Sequence, residues 1–100
     1  MEKSEVYERS IGKILDYIKQ NFRDKKIEVI LFGSRARGDY KYYSDIDLAI
    51  KGLGKKEILK IKDFVEESTI PYFVDIVRYE DAPLKLRENI EREGVTIWKN

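Results

Sequence analysis

The first half of the chain changes from helical to strand-like spacing of its apolar residues. A first helix is predicted by apolar residues recurring at steps of three and four, namely Tyr7, Ile11, Ile14, Leu15, Ile18 and Phe22. Residues 27–32 are apolar and β-branched on both sides of Glu28, which is typical of a largely buried strand. A polar, tyrosine-rich loop separates them from residues 45–50, where apolar and polar positions alternate. This alternation predicts a second strand.

The second half of the chain begins with a predicted helix that connects strand two to a third strand. Gly52 and Gly54 mark a turn, and Ile58, Ile61 and Val65 give a second helix that must end before Pro71. Residues 72–77 form the predicted third strand. Because strand, helix and strand follow within about thirty residues, we expect strands two and three to be parallel, with a right-handed crossover.

The last segment predicts one more helix and a closing strand. Asp81, with Pro83 in the first turn, is expected to begin the helix, and Gly94 is expected to adopt the left-handed conformation that ends it. Residues 95–98 are the closing strand. The sequence shows no repeat and no linker, so we expect a small α/β sandwich with one face of its sheet left for chemistry.

Composition narrows the classes of function. The 100 residues are 42% hydrophobic, enough for one domain, and 20 basic and 19 acidic residues leave a net charge of +1. That balance gives no reason to expect direct DNA binding. Absence of cysteine and histidine excludes disulfides, zinc fingers and nucleophiles activated by histidine. No apolar run resembles a membrane span or a secretory signal, so we expect a cytoplasmic protein.

Acidic residues in two strands suggest a metal site. Asp45 and Asp47 share one strand face, roughly 6.6 Å apart at two strand rises. The same alternation places Asp75 with Phe73 and Val77, so a third carboxylate lies beside the first two if the strands pair in register. Carboxylates without histidine suit Mg²⁺ or Mn²⁺.

The pair of acids in strand two and the glycine after strand one each have a simpler interpretation. Asp45 and Asp47 could belong to a solvated sheet face. Asp75 lies in an apolar stretch, where we expect it to be buried near a cation because an unpaired buried carboxylate is costly. Gly33 and Ser34 follow a buried strand, where backbone N–H groups and a hydroxyl can approach phosphate, although a glycine there can simply form a turn.

The string GSRARGDYKYYSDIDLAI resembles the minimal nucleotidyltransferase (MNT) branch of the DNA polymerase β-like nucleotidyltransferase superfamily, and the likeness extends from the first helix to REGVTIW. The resemblance implies that Gly33 and Ser34 hold the phosphates of ATP, the substrate. It implies that Asp45 and Asp47 bind Mg²⁺, with two ions expected, and that Asp75 completes the catalytic metal site. Arg35 and Arg37 would lie beside the triphosphate, or else be solvated loop cations. Loop tyrosines could stack on a base or pack over the helix behind them; these are Tyr40, Tyr42 and Tyr43.

The fold expected from the elements and the resemblance is an α/β (α+β) single nucleotidyltransferase core over residues 1–100. It has a mixed sheet of about four strands with three main helices packed on one side. The resemblance implies transfer of AMP to a tyrosine of a helical HEPN-domain ribonuclease toxin, with this chain as the antitoxin in a hetero-oligomer. The alternatives are a catalytically inactive module that neutralises or scaffolds such a partner by contact, and an adenylyltransferase for a small molecule.

Overall fold

The computed structural model describes residues 3–100, with side chains from residue 5 onward. Four α-helices and four strands follow in the order α1 (Lys3–Asn21), β1 (Glu28–Phe32), α2 (Ser34–Arg37), β2 (Ile46–Lys51), α3 (Lys55–Glu67), β3 (Val74–Arg78), α4 (Leu84–Glu93) and β4 (Val95–Lys99), with a 3₁₀ turn at Tyr79–Asp81. Within residues 3–100, no helix combines the length and apolarity needed to cross a membrane.

The strands form one mixed sheet in the order β3-β2-β1-β4. β1 is antiparallel to β2 and to β4, whereas β2 and β3 are parallel neighbours. The predicted mixed sheet of four strands and the parallel pairing are therefore confirmed. β3 lies at one edge of the sheet, and α3 connects it to its parallel neighbour β2 as a crossover.

Helices cover both faces of the sheet. One face carries the larger core, where Ile14 and Ile18 of α1 and Ile58 and Ile61 of α3 meet inward-facing residues of the strands. These strand residues are Val29, Leu31, Ile46, Leu48, Ile50 and Ile76. On the other face, Ile90 of α4 packs against Ile30, Phe32 and Ala49. The predicted fold class is confirmed, but its placement of three main helices on one side is wrong. The apolar residues of β1 point alternately to the two faces, and each face needs a helix to bury them.

The start and end of α4 also differ from the prediction. Asp81 lies in the 3₁₀ turn, and α4 begins after Pro83. Ala82 is extended because the proline that follows it disfavours helical geometry. Gly94 is likewise extended, with φ −69° and ψ 150°, so the expected left-handed conformation is wrong. A Cβ on Gly94 would overlap the Ile90 carbonyl oxygen and Ile30, which makes close packing the reason for glycine here.

Candidate active site

A row of side chains crosses the sheet beside the part that α4 covers. Asp47 of β2 pairs with Phe32 of β1 on one side and with Asp75 of β3 on the other. Asp45 lies one residue before β2 and shares the face of Asp47. Neighbouring strands are about 4.8 Å apart, so this register brings the three acids to one end of the sheet.

Burial differs between the three acids. Asp47 is half-buried, whereas Asp45 and Asp75 are exposed. The expectation that Asp75 would be buried is therefore wrong. β3 is an edge strand, and even Phe73, two residues earlier on the same face, is 70% exposed. The apolar stretch around Asp75 buries its other face, where Ile76 joins the larger core.

The electrostatics place the acids within range of one another. Burial raises the pKa of the Asp47 carboxyl above its ordinary value, and the negative charges of Asp75 and Asp45 raise it further. Arg37 lowers the same pKa. Like charges that raise a pKa mark a place where a cation would be stabilised, because the cation relieves their repulsion.

Gly33 brings the backbone against Asp47. Its φ of 77° and ψ of −157° lie in a region that only glycine adopts readily, and a Cβ would overlap Asp47 Oδ2. Ser34 then begins α2, in which the N–H groups of Ala36 and Arg37 donate to the Gly33 carbonyl oxygen, both at 3.1 Å. The first N–H groups of a helix have no partner within it. The turn therefore places Ser34 and the first backbone N–H groups of α2 close to a carboxylate.

Arg37 lies on the acid side of the turn. Its guanidinium donates to Asp39 at 3.3 Å and to Glu93 of α4 at 3.4 Å, and the hydrogen bond to Asp39 is the main reason its pKa is raised. These partners hold a cation close enough to Asp47 to lower the pKa of that carboxyl. Arg37 is thus brought to the predicted site. The part played by Glu93 could not have been predicted, since no sequence signal links residues 56 apart.

Arg35 is directed away from the acids. The side chain is buried, and its guanidinium donates to the carbonyl oxygens of Ser44 at 3.0 Å and Tyr42 at 3.1 Å. It also lies over the rings of Tyr7, Tyr40 and Tyr72, at 4.4, 4.9 and 4.9 Å from their centroids. Tyr7 packs against the larger core, on the opposite sheet face from Asp47. The structure therefore does not bring Arg35 together with the acids but uses it to hold the loop before Asp45.

The loop tyrosines remain at the surface. Tyr40 covers the Arg35 guanidinium, and the rings of Tyr42 and Tyr43 meet edge to face at 5.3 Å. All three are about half exposed or more. Packing against Arg35 accounts for Tyr40, and stacking of Tyr42 or Tyr43 on a base stays a prediction.

The acidic side chains of the site offer oxygen ligands for a metal ion. Within residues 3–100, no three acidic side chains stand close enough to hold one ion by themselves. Mg²⁺ is ordinarily held by one or two carboxylates together with phosphate oxygens of a substrate. Asp47 with its neighbours Asp45 and Asp75 supplies hard oxygen donors. Burial is the main cause of the raised pKa of Asp47, and a cation would remove the smaller part that comes from the negative charges of Asp75 and Asp45. These residues fit Mg²⁺ bound together with a nucleotide.

Comparison with known proteins defines the class. The family model described as "Polymerase beta, Nucleotidyltransferase" matches residues 12–100, so this chain belongs to that nucleotidyltransferase family. A protein of Methanocaldococcus jannaschii named as protein adenylyltransferase MJ1305 is 40% identical over 78 residues, covering 69% of this chain. The chain spans about half of that relative's length, 53%.

Solved structures share the fold. A toxin–antitoxin crystal structure with AMP-PNP superposes with a TM-score of 0.69 at 24% identity, covering 93% of this chain and 73% of the matched chain. A tri-AMPylated Shewanella oneidensis HEPN toxin in complex with its MNT antitoxin gives a TM-score of 0.67 at 21% identity, covering 93% and 72%. At these identities the likeness establishes the fold.

Proposed function

We propose that this chain is a Mg²⁺-dependent adenylyltransferase that moves AMP from ATP to a tyrosine of a HEPN-domain toxin, and so acts as its antitoxin. The observation that carries the proposal is the pairing of Asp47 with Asp75, with Asp45 one step along the same face and the Gly33 backbone against Asp47. This arrangement places carboxylates beside backbone donors, which is what a metal-bound triphosphate requires.

The reaction exchanges one bond at the α-phosphorus for another. The phenol oxygen of the acceptor forms a bond to that phosphorus, the bond to the bridging oxygen of the β-phosphate breaks, and pyrophosphate leaves. The proton of the phenol passes to solvent. The protein's task is mainly to position the two oxygens in line and to neutralise charge. When bound, Mg²⁺ would supply that neutralisation and lower the pKa of the acceptor hydroxyl.

The residues divide this task by position. Asp45 and Asp47, at the start of β2, would hold the metal that accompanies the triphosphate. Gly33 and Ser34 would bind phosphate oxygens, with Arg37 supplying positive charge from the same turn. Asp75, on the exposed edge strand, is the carboxylate we place beside the acceptor hydroxyl. Arg35 is left out of the nucleotide site because its guanidinium is occupied by loop carbonyls and tyrosine rings.

The relatives support the choice of acceptor. The Methanocaldococcus jannaschii relative is named as a protein adenylyltransferase, and the Shewanella oneidensis structure holds an AMPylated HEPN toxin with an MNT antitoxin. Because the chain spans about half the length of that curated relative, we carry the activity over as a proposal. A helical HEPN-domain protein encoded beside this chain's gene would be the acceptor.

The test is mass spectrometry of that neighbouring HEPN protein after incubation with this chain, ATP and Mg²⁺. We expect a mass increase of one or more AMP units, located on tyrosine. Asp45→Asn combined with Asp47→Asn should abolish the increase while the complex still forms. Toxin inhibition without any mass increase would instead establish an antitoxin that acts by contact alone. Modification of small molecules alone would establish an adenylyltransferase for a small molecule.

A further inference from the structure

The outer edge of β3 presents backbone groups away from the sheet. The Ile46 N–H donates to the Phe73 carbonyl oxygen at 3.0 Å, and β2 and β3 are parallel with Ile46 opposite Val74. In such a ladder the backbone groups of Phe73 and Asp75 point towards β2. Those of Val74 and Ile76 point to the open edge. An edge strand of this kind is a template for another strand.

Two adjacent grooves follow this edge. The first, about 480 Å³, lies between Leu59 of α3 and Leu86 of α4. The second, about 530 Å³, lies beside the start of β3 and the end of α3. Lys62, Asp75 and Ile76 line both, so the two grooves are adjacent and Asp75 borders each of them. Phe73 in the second groove is 70% exposed and Leu59 in the first is 57% exposed, which gives an extended chain apolar surface to cover.

We infer that an extended segment of the acceptor protein adds to the open edge of β3 as a fifth strand and carries the target hydroxyl to Asp75. The inference rests on the proposed function, and it specifies the form in which the substrate is recognised. Strand addition supplies main-chain hydrogen bonds for affinity and side-chain pockets for specificity.

The register of the sheet identifies the target position. Residues opposite each other in neighbouring strands point to the same face, so a residue paired with Asp75 would point to the face of Asp47. Directly opposed and diagonal neighbours lie roughly 4.5–8 Å apart, within reach of an aromatic side chain. A tyrosine at that position would bring its hydroxyl to the carboxylates. A residue one place earlier or later would point to the other face.

The lining of the grooves favours an apolar segment. Its charged side chains are balanced, three basic against three acidic: Lys55, Lys62 and Arg78 against Glu66, Asp75 and Asp81. The exposed side chains of Phe73 and Leu59 therefore favour apolar residues on either side of the tyrosine of the segment.

Val74 offers a matched pair of variants. It is the first residue of β3, a position where proline is tolerated, and its N–H points to the open edge. Val74→Pro removes that donor, whereas Val74→Ala shortens the side chain and keeps it. Against Val74→Ala, we expect Val74→Pro to lower kcat/KM for the HEPN acceptor roughly two- to tenfold, the worth of one main-chain hydrogen bond, through a higher KM. Calorimetry should show equal affinity of both variants for Mg-ATP.

Hydrogen exchange gives a readout that needs no variant and no catalysis. In the complex of the wild-type chain with the HEPN protein, the Val74 and Ile76 amides should exchange more slowly than in the free chain. The Asp75 amide, which faces β2, is the internal reference for a group protected in both states.

The outcomes separate the two ideas. If wild type forms the complex but transfers no AMP, the proposed function fails, whatever the exchange data show. If wild type transfers AMP while the Val74 and Ile76 amides gain no protection, or Val74→Pro matches Val74→Ala, the strand-addition inference is overturned. Protection of these amides that grows with the concentration of the chain alone would identify a second copy as the occupant, and would also overturn it.

Discussion

Gly33 and Gly38 have similar φ values but should respond differently to alanine. Both have positive φ, 77° and 91°. A Cβ on Gly38 would meet nothing within 4 Å, whereas a Cβ on Gly33 would overlap the Asp47 carboxylate. Gly38→Ala therefore changes the backbone energy alone, and Gly33→Ala also displaces a proposed metal ligand.

The expected magnitudes follow from the two conformations. At ψ −157°, Gly33 lies in a region that is essentially limited to glycine, which costs another residue about 1–3 kcal/mol. Gly38, at ψ 1°, is left-handed and costs about 1–2 kcal/mol. Each kcal/mol lowers the melting temperature of a domain this size by about 4–8 °C. Stability therefore changes comparably in both variants.

Function should distinguish them. A displacement of about 1 Å in a catalytic group can cost roughly a hundredfold in rate, so Gly33→Ala should transfer AMP about that much more slowly, with weaker Mg-ATP binding. Gly38→Ala should bind Mg-ATP like wild type. The assays are calorimetric titration with Mg-ATP and single-turnover transfer, at a temperature where both variants are folded. Equal Mg-ATP affinity and equal rates in the two variants would refute the close approach of Gly33 to Asp47 as a functional requirement.

Three further substitutions test separate parts of the structure. The pKa of Asp47 is raised in the folded state, so the ionised carboxylate costs stability that the protonated form does not. Asp47→Asn should therefore raise the free energy of unfolding in EDTA at pH 7, and this gain should disappear below about pH 4. An equal gain at both pH values in urea titrations would contradict this. Arg35→Lys keeps the charge but loses the paired bonds to the loop, so thermal melting should show a loss of about 1.5–3 kcal/mol, and an unchanged melting temperature would exclude Arg35 as the residue holding that loop. Gly94→Ala should cost about 1–3 kcal/mol by overpacking against Ile30 and the Ile90 carbonyl, and wild-type behaviour in urea would show that the strand can shift.

Local patterns were enough to predict the sheet and its parallel pair. The alternation in residues 45–50 and the strand, helix and strand spacing depend on neighbours in sequence, and both are confirmed by β2, α3 and β3. The same alternation placed Asp45, Asp47 and Asp75 on one face. Sequence could not predict that β3 is an edge strand, because strand order depends on the whole fold. The prediction that Asp75 is buried is wrong because β3 is an edge strand.

Arg35 shows where a motif is insufficient. Two arginines two residues apart in the same turn looked equivalent in sequence. In the structure the short helix α2 directs Arg35 into a group of tyrosines and Arg37 towards Asp39 and Glu93. Two of the three tyrosine rings that contact Arg35 belong to Tyr7 and Tyr72, which are distant in sequence. Only tertiary packing distinguishes the two side chains.

The most direct measurement of the central claim follows the label of ATP into the HEPN protein. Parallel single-turnover reactions with Mg²⁺ would contain ATP labelled at either the α- or the γ-phosphate. Our account predicts label on the protein from the α-phosphate only, and none with Asp75→Asn even though that variant still binds Mg-ATP. Transfer of the γ label, or undiminished α labelling by Asp75→Asn, would contradict adenylyl transfer by these three carboxylates.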